Sequence, residues 1–234
     1  MPIIKFEIDS PMFPKATKAI EEAKNADFLE TQSPSACIGF ILDESSSMAV
    51  VWQDTISGFN HYISQLREEI PEAKLTFATF VAGKVKVRGE DTPIDEVLPL
   101  NSKSYTPCGD TPLIDSVMRI ITLIEQKVLT SPKLKPIIVV QTDGEENSST
   151  NYTMPFLQSV IGKKRKEGWK FLLITCSFNP NVLAQNMGID PDASIEYGRG
   201  KTKQAFKILA RTTTMSVKTG EEVAFSLEDK RNLK

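Results

Sequence analysis

Asp43, Ser45 and Ser47 stand at alternate positions in Ile38-Gly-Phe-Ile-Leu-Asp-Glu-Ser-Ser-Ser-Met48, where an apolar run ends abruptly in a carboxylate and two hydroxyls. Two further segments carry oxygen donors in the same manner. Thr111 opens a helix-like run in Tyr105-Thr-Pro-Cys-Gly-Asp-Thr-Pro-Leu-Ile-Asp115, and Asp143 closes a second apolar, β-branched run in Ile137-Ile-Val-Val-Gln-Thr-Asp-Gly-Glu-Glu146. Donors that are all oxygen select hard cations, so the ion expected at Asp43, Ser45, Ser47, Thr111 and Asp143 is Mg²⁺, with Mn²⁺ or Ca²⁺ as alternatives. Each residue also has a plainer reading. Ser and Asp after a strand often cap the next helix, and Thr111 before Pro112 is itself a credible N-cap. His61 is the only histidine, which leaves zinc sites and Ser-His-Asp triads hard to assemble.

The elements that must position these residues follow from the apolar pattern. Short β-branched runs alternate with longer amphipathic ones, the signature of a parallel sheet with helices on both faces. Strands are predicted at 36–42, 75–81, 84–87, 136–142, 170–176 and 194–197. Helices are predicted at 50–69, 111–129, 153–167, 180–187 and 201–213, with a short helical turn at 93–100. In the first helix Ile56, Phe59, Ile63, Leu66 and Ile70 recur at spacings of three and four. Ala82-Gly83 is a two-residue hairpin signal that would add one antiparallel edge strand. On this pattern Asp43 and Asp143 both sit at the carboxyl ends of strands, where open α/β sheets bind ligands.

The ordered set Asp-x-Ser-x-Ser, then Thr, then Asp resembles the metal-ion-dependent adhesion site of von Willebrand factor A domains. The resemblance covers roughly 35–215 and implies a doubly wound, mostly parallel α/β sheet with one antiparallel edge strand. It also implies roles: Ser45 and Ser47 as direct ligands, Asp43 and Asp143 mainly holding the ion's waters, and Thr111 as a ligand that comes and goes with conformation. Such a site leaves one coordination position for a carboxylate from another protein. The runs Thr55-Ile-Ser-Gly-Phe-Asn60, Thr142-Asp-Gly-Glu-Glu-Asn147 and Gln204-Ala-Phe206 further resemble stand-alone A-domain proteins of bacteria and their phages. Ser46 and Asp110 depart from the pattern, standing where glycines are common. With Glu44, Glu145 and Glu146, Asp110 is expected to make the rim of the site acidic.

At 234 residues, with 40% hydrophobic and 25% charged residues, the chain is long enough for one domain with a sizeable core. Residues 1–34 are read as an N-terminal extension, with one helix at 14–24 and a role as edge packing or as a partner-binding arm. Residues 216–234 are read as a charged tail, extended or frayed from 221 onward. A formal net charge of -2 gives no global case for nucleic acid or an anionic membrane. Cys37, Cys108 and Cys176 are odd in number, and the outer two lie in apolar runs, so no disulfide framework is expected. No signal-like start and no apolar stretch of about 18 residues is present, which predicts a cytoplasmic protein.

Two other segments invite functional readings. Lys163-Lys-Arg-Lys166 is a basic run near a helix end, best read as a solvated face that complements the helix dipole. Gly200-Lys201-Thr202 echoes the end of a phosphate-binding loop, but Ile195 occupies the position of its first glycine. The function expected is therefore a non-enzymatic, metal-dependent module that docks another protein. A metal-assisted hydrolase or phosphotransferase is the alternative, weakened because its second carboxylate would fall at Ser45; a structural component of a phage or larger assembly is the third reading.

Overall fold

A computed structural model describes residues 36–131, 134–143, 146–176 and 179–233. The helix expected at 14–24 lies outside these residues. The elements are β1 (Cys37–Asp43), a 3-10 turn (Ser46–Val50), α1 (Trp52–Glu69), β2 (Lys74–Val81), β3 (Lys84–Pro93), a 3-10 turn (Ile94–Glu96) and α2 (Leu113–Thr130). There follow β4 (Ile137–Thr142), α3 (Met154–Lys166), β5 (Lys170–Thr175), α4 (Pro180–Met187), a 3-10 turn (Pro191–Ala193), β6 (Ser194–Glu196), α5 (Thr202–Thr219) and α6 (Leu227–Asn232).

The strands form one sheet in the order β3-β2-β1-β4-β5-β6. Every pairing is parallel except that of β2 with β3, which is the expected hairpin. β1, β4 and β5 are buried along their whole length, as parallel strands covered on both faces must be. Phe40 of β1 is the hub of one side of the core, with ring centroids of Phe59 at 5.3 Å, Tyr62 at 5.2 Å and Phe206 at 6.4 Å. α1 and α5 therefore share that face. On the other face Gly39 admits α2: a Cβ there would come within 2.6 Å of Ile120 Cγ2 and 2.7 Å of Ile124 Cδ1.

Three expectations change. β3 continues to Pro93 rather than stopping at 87, because register shifts opposite Leu75 and Phe77 let a polar stretch remain paired along an exposed edge. α5 runs to Thr219, six residues beyond the expected end, and closes on Gly220 in the left-handed conformation. The tail is not frayed. Val223, Phe225 and Leu233 are buried, and Ser226 and Asp229 form a capping box at the start of α6. Lys170, itself buried, anchors this segment by donating to Ser216 Oγ at 2.6 Å, to Gly220 O at 2.8 Å and to Glu221 O.

The basic run also departs from a fully solvated face. Lys164 is buried, donates to Glu125 at 2.6 Å and Glu167 at 2.8 Å, and lies 5.0 Å from the Trp169 ring centroid. An (i, i+3) carboxylate and an aromatic face at the helix end satisfy the charge inside the protein. His61 is half-buried on α1. All three cysteines are free; burial pushes Cys37 up to about 11 and Cys176 up to about 12, with Asp143 adding to the second, so both thiols stay protonated. Among the described residues no helix is long and apolar enough to cross a membrane.

Candidate metal centre

The strand order reverses between β1 and β4, and the crevice at their carboxyl ends is where a doubly wound sheet receives ligands. Asp43 is the last residue of β1, and Asp143 follows the last residue of β4. Asp43 is fully buried; its Oδ1 accepts the Ser45 amide at 2.8 Å, and its Oδ2 accepts the Thr142 hydroxyl at 2.6 Å and the Asp143 amide at 3.4 Å. Ser45 Oγ lies 3.0 Å from Ser47 Oγ, and Ser47 Oγ donates to Asp143 Oδ1 at 2.7 Å. Four of the five residues singled out in the sequence thus meet across two loops 100 residues apart.

The serines are not helix caps. Ser45 precedes the 3-10 turn without a side-chain capping bond, and α1 begins beyond Val51, also without one. Burial pushes the Asp43 carboxyl up to about 6; bonds from Ser45 and Thr142 oppose the rise, and the charge of Asp143 adds to it. Burial likewise raises the Asp143 carboxyl, against the bond from Ser47. Two neighbouring carboxylates that both resist ionisation form an environment that a divalent cation would relieve. Among the described residues no three His, Cys, Asp or Glu side chains gather as a metal cluster, so any ion here would rely on hydroxyls.

Thr111 enters through its backbone. Its amide donates to Asn147 Oδ1 at 2.8 Å, and its carbonyl accepts the Asn147 amide at 3.2 Å. It does not cap α2, which starts at Leu113 after Pro112 with no side-chain cap of its own. On its other side the 101–110 loop is sewn to the β1 loop: Ser46 N donates to Gly109 O at 2.9 Å and Cys108 N to Glu44 O at 2.9 Å. The Tyr105 hydroxyl also donates to Asp43 O.

The acidic rim is smaller than the sequence suggests. Glu44 turns inward, pairs with Arg88 of β3 and accepts the Thr106 amide at 2.6 Å, so its charge is spent on the fold. Glu146 accepts the Ile114 amide at 2.8 Å and belongs to the start of α2. Glu145 lies outside the described residues, and Asp110 is exposed. Thr142, Asn147 and Asp115 are the functional-looking residues to which the sequence reading gave no role, and Glu146 was given a place on the rim rather than at the start of α2. Thr142 had a signal in its place next to Asp143, but the other three act through partners more than 30 positions away.

No family model and no curated protein matches the sequence. Solved structures do. Over 77% of this chain and 43% of the other, it superposes on a von Willebrand factor type A protein from Catenulispora acidiphila at a TM-score of 0.53 and 12% identity. The SpRpn10 VWA domain is matched over 75% of this chain and 95% of that domain, at 0.53 and 10%. The chain has a von Willebrand factor A-like fold. The same fold occurs in the pilus adhesin SpaC of Lactobacillus rhamnosus GG (TM-score 0.62, 10% identity, 80% of this chain and 31% of that one). It occurs too in proximal thread matrix protein 1 of the mussel byssus (0.56, 16%, 78% and 47%). This chain therefore spans less than half the length of the mussel, Lactobacillus and Catenulispora chains.

Proposed function

We propose that this A-domain-like chain is a non-enzymatic protein-binding module that uses a divalent cation, Mg²⁺ first and Mn²⁺ or Ca²⁺ as alternatives, to dock a carboxylate of another protein. The observation that carries this reading is the convergence of Ser45 Oγ, Ser47 Oγ and Asp143 Oδ1 at successive separations of 3.0 and 2.7 Å. Donors about 2.1 Å from a hard ion in neighbouring octahedral positions lie about 3 Å apart, so the donor spacing fits. Ser45, Ser47 and Asp143 would hold the ion, with Thr111 as the further ligand that the family resemblance implies and Asp43 fixing the Ser45 amide and Thr142 hydroxyl. A cation held mainly by neutral hydroxyls keeps much of its charge and attracts an outside carboxylate.

Binding is favoured over catalysis by the place of Asp43. A nucleophile or base must reach substrate, whereas this carboxylate is fully buried and already accepts three bonds. One structural neighbour is named an adhesin and another a matrix protein, which supports an attachment role. A cytoplasmic setting remains our reading of the sequence alone.

The test is calorimetry with Mg²⁺ on the wild type and on the Ser45→Ala, Ser47→Ala pair, followed by metal-dependent binding of a glutamate-bearing peptide. One site in the wild type, lost in the double variant, is the expected result. Equal weak uptake by both proteins would sink the reading.

A further inference from the structure

The loop that carries Thr111 does not stand alone. Besides the two Asn147 bonds, the start of α2 and the loop after β4 cap one another. Glu146 Oε2 accepts the Ile114 amide at 2.8 Å, and Ser149 Oγ accepts the Asp115 amide at 3.1 Å. The same Glu146 carboxylate accepts the Ser148 and Ser149 amides at 2.8 and 2.7 Å and the Ser149 hydroxyl at 2.6 Å. In return, Asp115 in the first turn of α2 accepts the amides of Thr150, Asn151 and Tyr152 at 3.0, 3.2 and 3.1 Å, and the Asn151 side chain at 2.8 Å.

The chemistry of this exchange is favourable in both directions. The first N–H groups of a helix have no partner within the helix, and carboxylates near that end also meet the positive pole of its dipole. Bonds to charged acceptors are stronger than those between neutral groups. Opening the Thr111 loop from the Asp143 loop would break the Asn147 pair together with both carboxylate caps, so the bonds act as a set.

We infer that Asn147, Glu146 and Asp115 are positioning residues that hold the Thr111 loop, the start of α2 and residues 146–152 as one body, so that Thr111 keeps its place with or without an ion. This differs from the ligand that comes and goes with conformation, which the family resemblance implies. It rests on the proposed ion site only for its consequence, a preset centre. The clamp itself is made of protein groups alone.

Residue-resolved amide exchange on the full chain, in chelator and in saturating Mg²⁺, tests it. In chelator the amides of Thr111, Ile114, Asp115 and Thr150 to Tyr152 should be protected. Asn147→Ala should speed exchange at Thr111 by about 10-fold or more, the loss of one well-placed bond, while β4 amides stay unchanged. Asn147→Asp retains an acceptor and should restore protection, which separates positioning from general damage. Mg²⁺ should change the wild-type Thr111 rate by less than about twofold. A Thr111 amide that is unprotected in chelator and becomes protected only with Mg²⁺, or one indifferent to Asn147→Ala, overturns the inference. Calorimetry that finds no Mg²⁺ site in the wild type defeats the ion reading instead, and the chelator arm still decides the clamp.

Discussion

Ser47 is the residue on which the site turns, because its hydroxyl joins Ser45 of the β1 loop to the Asp143 carboxylate. Ligand binding to the folded state stabilises it by mass action, about 2.7 kcal/mol at a hundredfold excess over Kd. Saturating Mg²⁺ should therefore raise the melting temperature of the wild type by several degrees and leave the Ser45→Ala, Ser47→Ala pair unmoved, as differential scanning fluorimetry would read. Asp43 plays a different part. Its replacement by Ala removes the acceptor of the fully buried Thr142 hydroxyl and of the Ser45 amide. A cost of about 1–3 kcal/mol in urea unfolding is expected, with native circular dichroism retained. Outright unfolding would mean that the carboxylate is chiefly a structural hub.

At the scale of elements, the C-terminal segment is a working part of the domain. Asp229 accepts from Ser226 within the capping box and from Arg211 of α5 at 2.6 Å. Burial pushes its carboxyl up, but the Ser226 and Arg211 bonds outweigh this and hold it below the usual range. A depressed folded pKa contributes stability that is full above the unfolded value of about 3.9 and is lost as pH falls through the folded value. Wild type should thus exceed Asp229→Asn in urea midpoint at pH 6, and the gap should close as pH drops below about 4. A gap that widens on acidification would contradict the assignment. Phe225 is buried beside this cap, and Phe225→Ala should cost about 3–5 kcal/mol in the same assay.

For the whole molecule, the site depends on two layers that grip one sheet. Gly58 of α1 lies against Phe206 of α5, where an added Cβ would meet ring carbons at 2.5 and 2.9 Å. Gly58→Ala should therefore separate α1 from α5 and destabilise the domain by about 1–3 kcal/mol, the usual cost of overpacking. Because α1 follows the Ser47 turn directly, Mg²⁺ affinity is the second readout, and it should fall along with stability. A Gly58→Ala protein as stable as wild type would show that the two helices part without strain.

The alternation of apolar runs, with the hairpin signal at Ala82-Gly83, was enough to indicate the sheet, its single antiparallel strand and the helices up to α5, because burial on one or two faces imposes the periodicity that those elements require. Asp43, Ser45, Ser47 and Asp143 were legible for a related reason: a strand that must be apolar to its end makes the first oxygen after it conspicuous. Only the tertiary structure decided where Glu44, Glu146 and Lys164 would place their charges. A carboxylate or ammonium group on an exposed-looking stretch can be solvated, can cap a helix or can pair inside the fold, and the choice rests on partners distant in sequence: Arg88 for Glu44, Ile114 for Glu146, Glu125 for Lys164. The tail followed the same rule. Its charged residues read as frayed because their ion-pair partners, Arg211 for Asp229 and Asp192 for Lys230, are contributed by other elements. Local pattern carries apolar burial, whereas the fate of a polar group depends on which neighbour the folded chain brings within 3 Å.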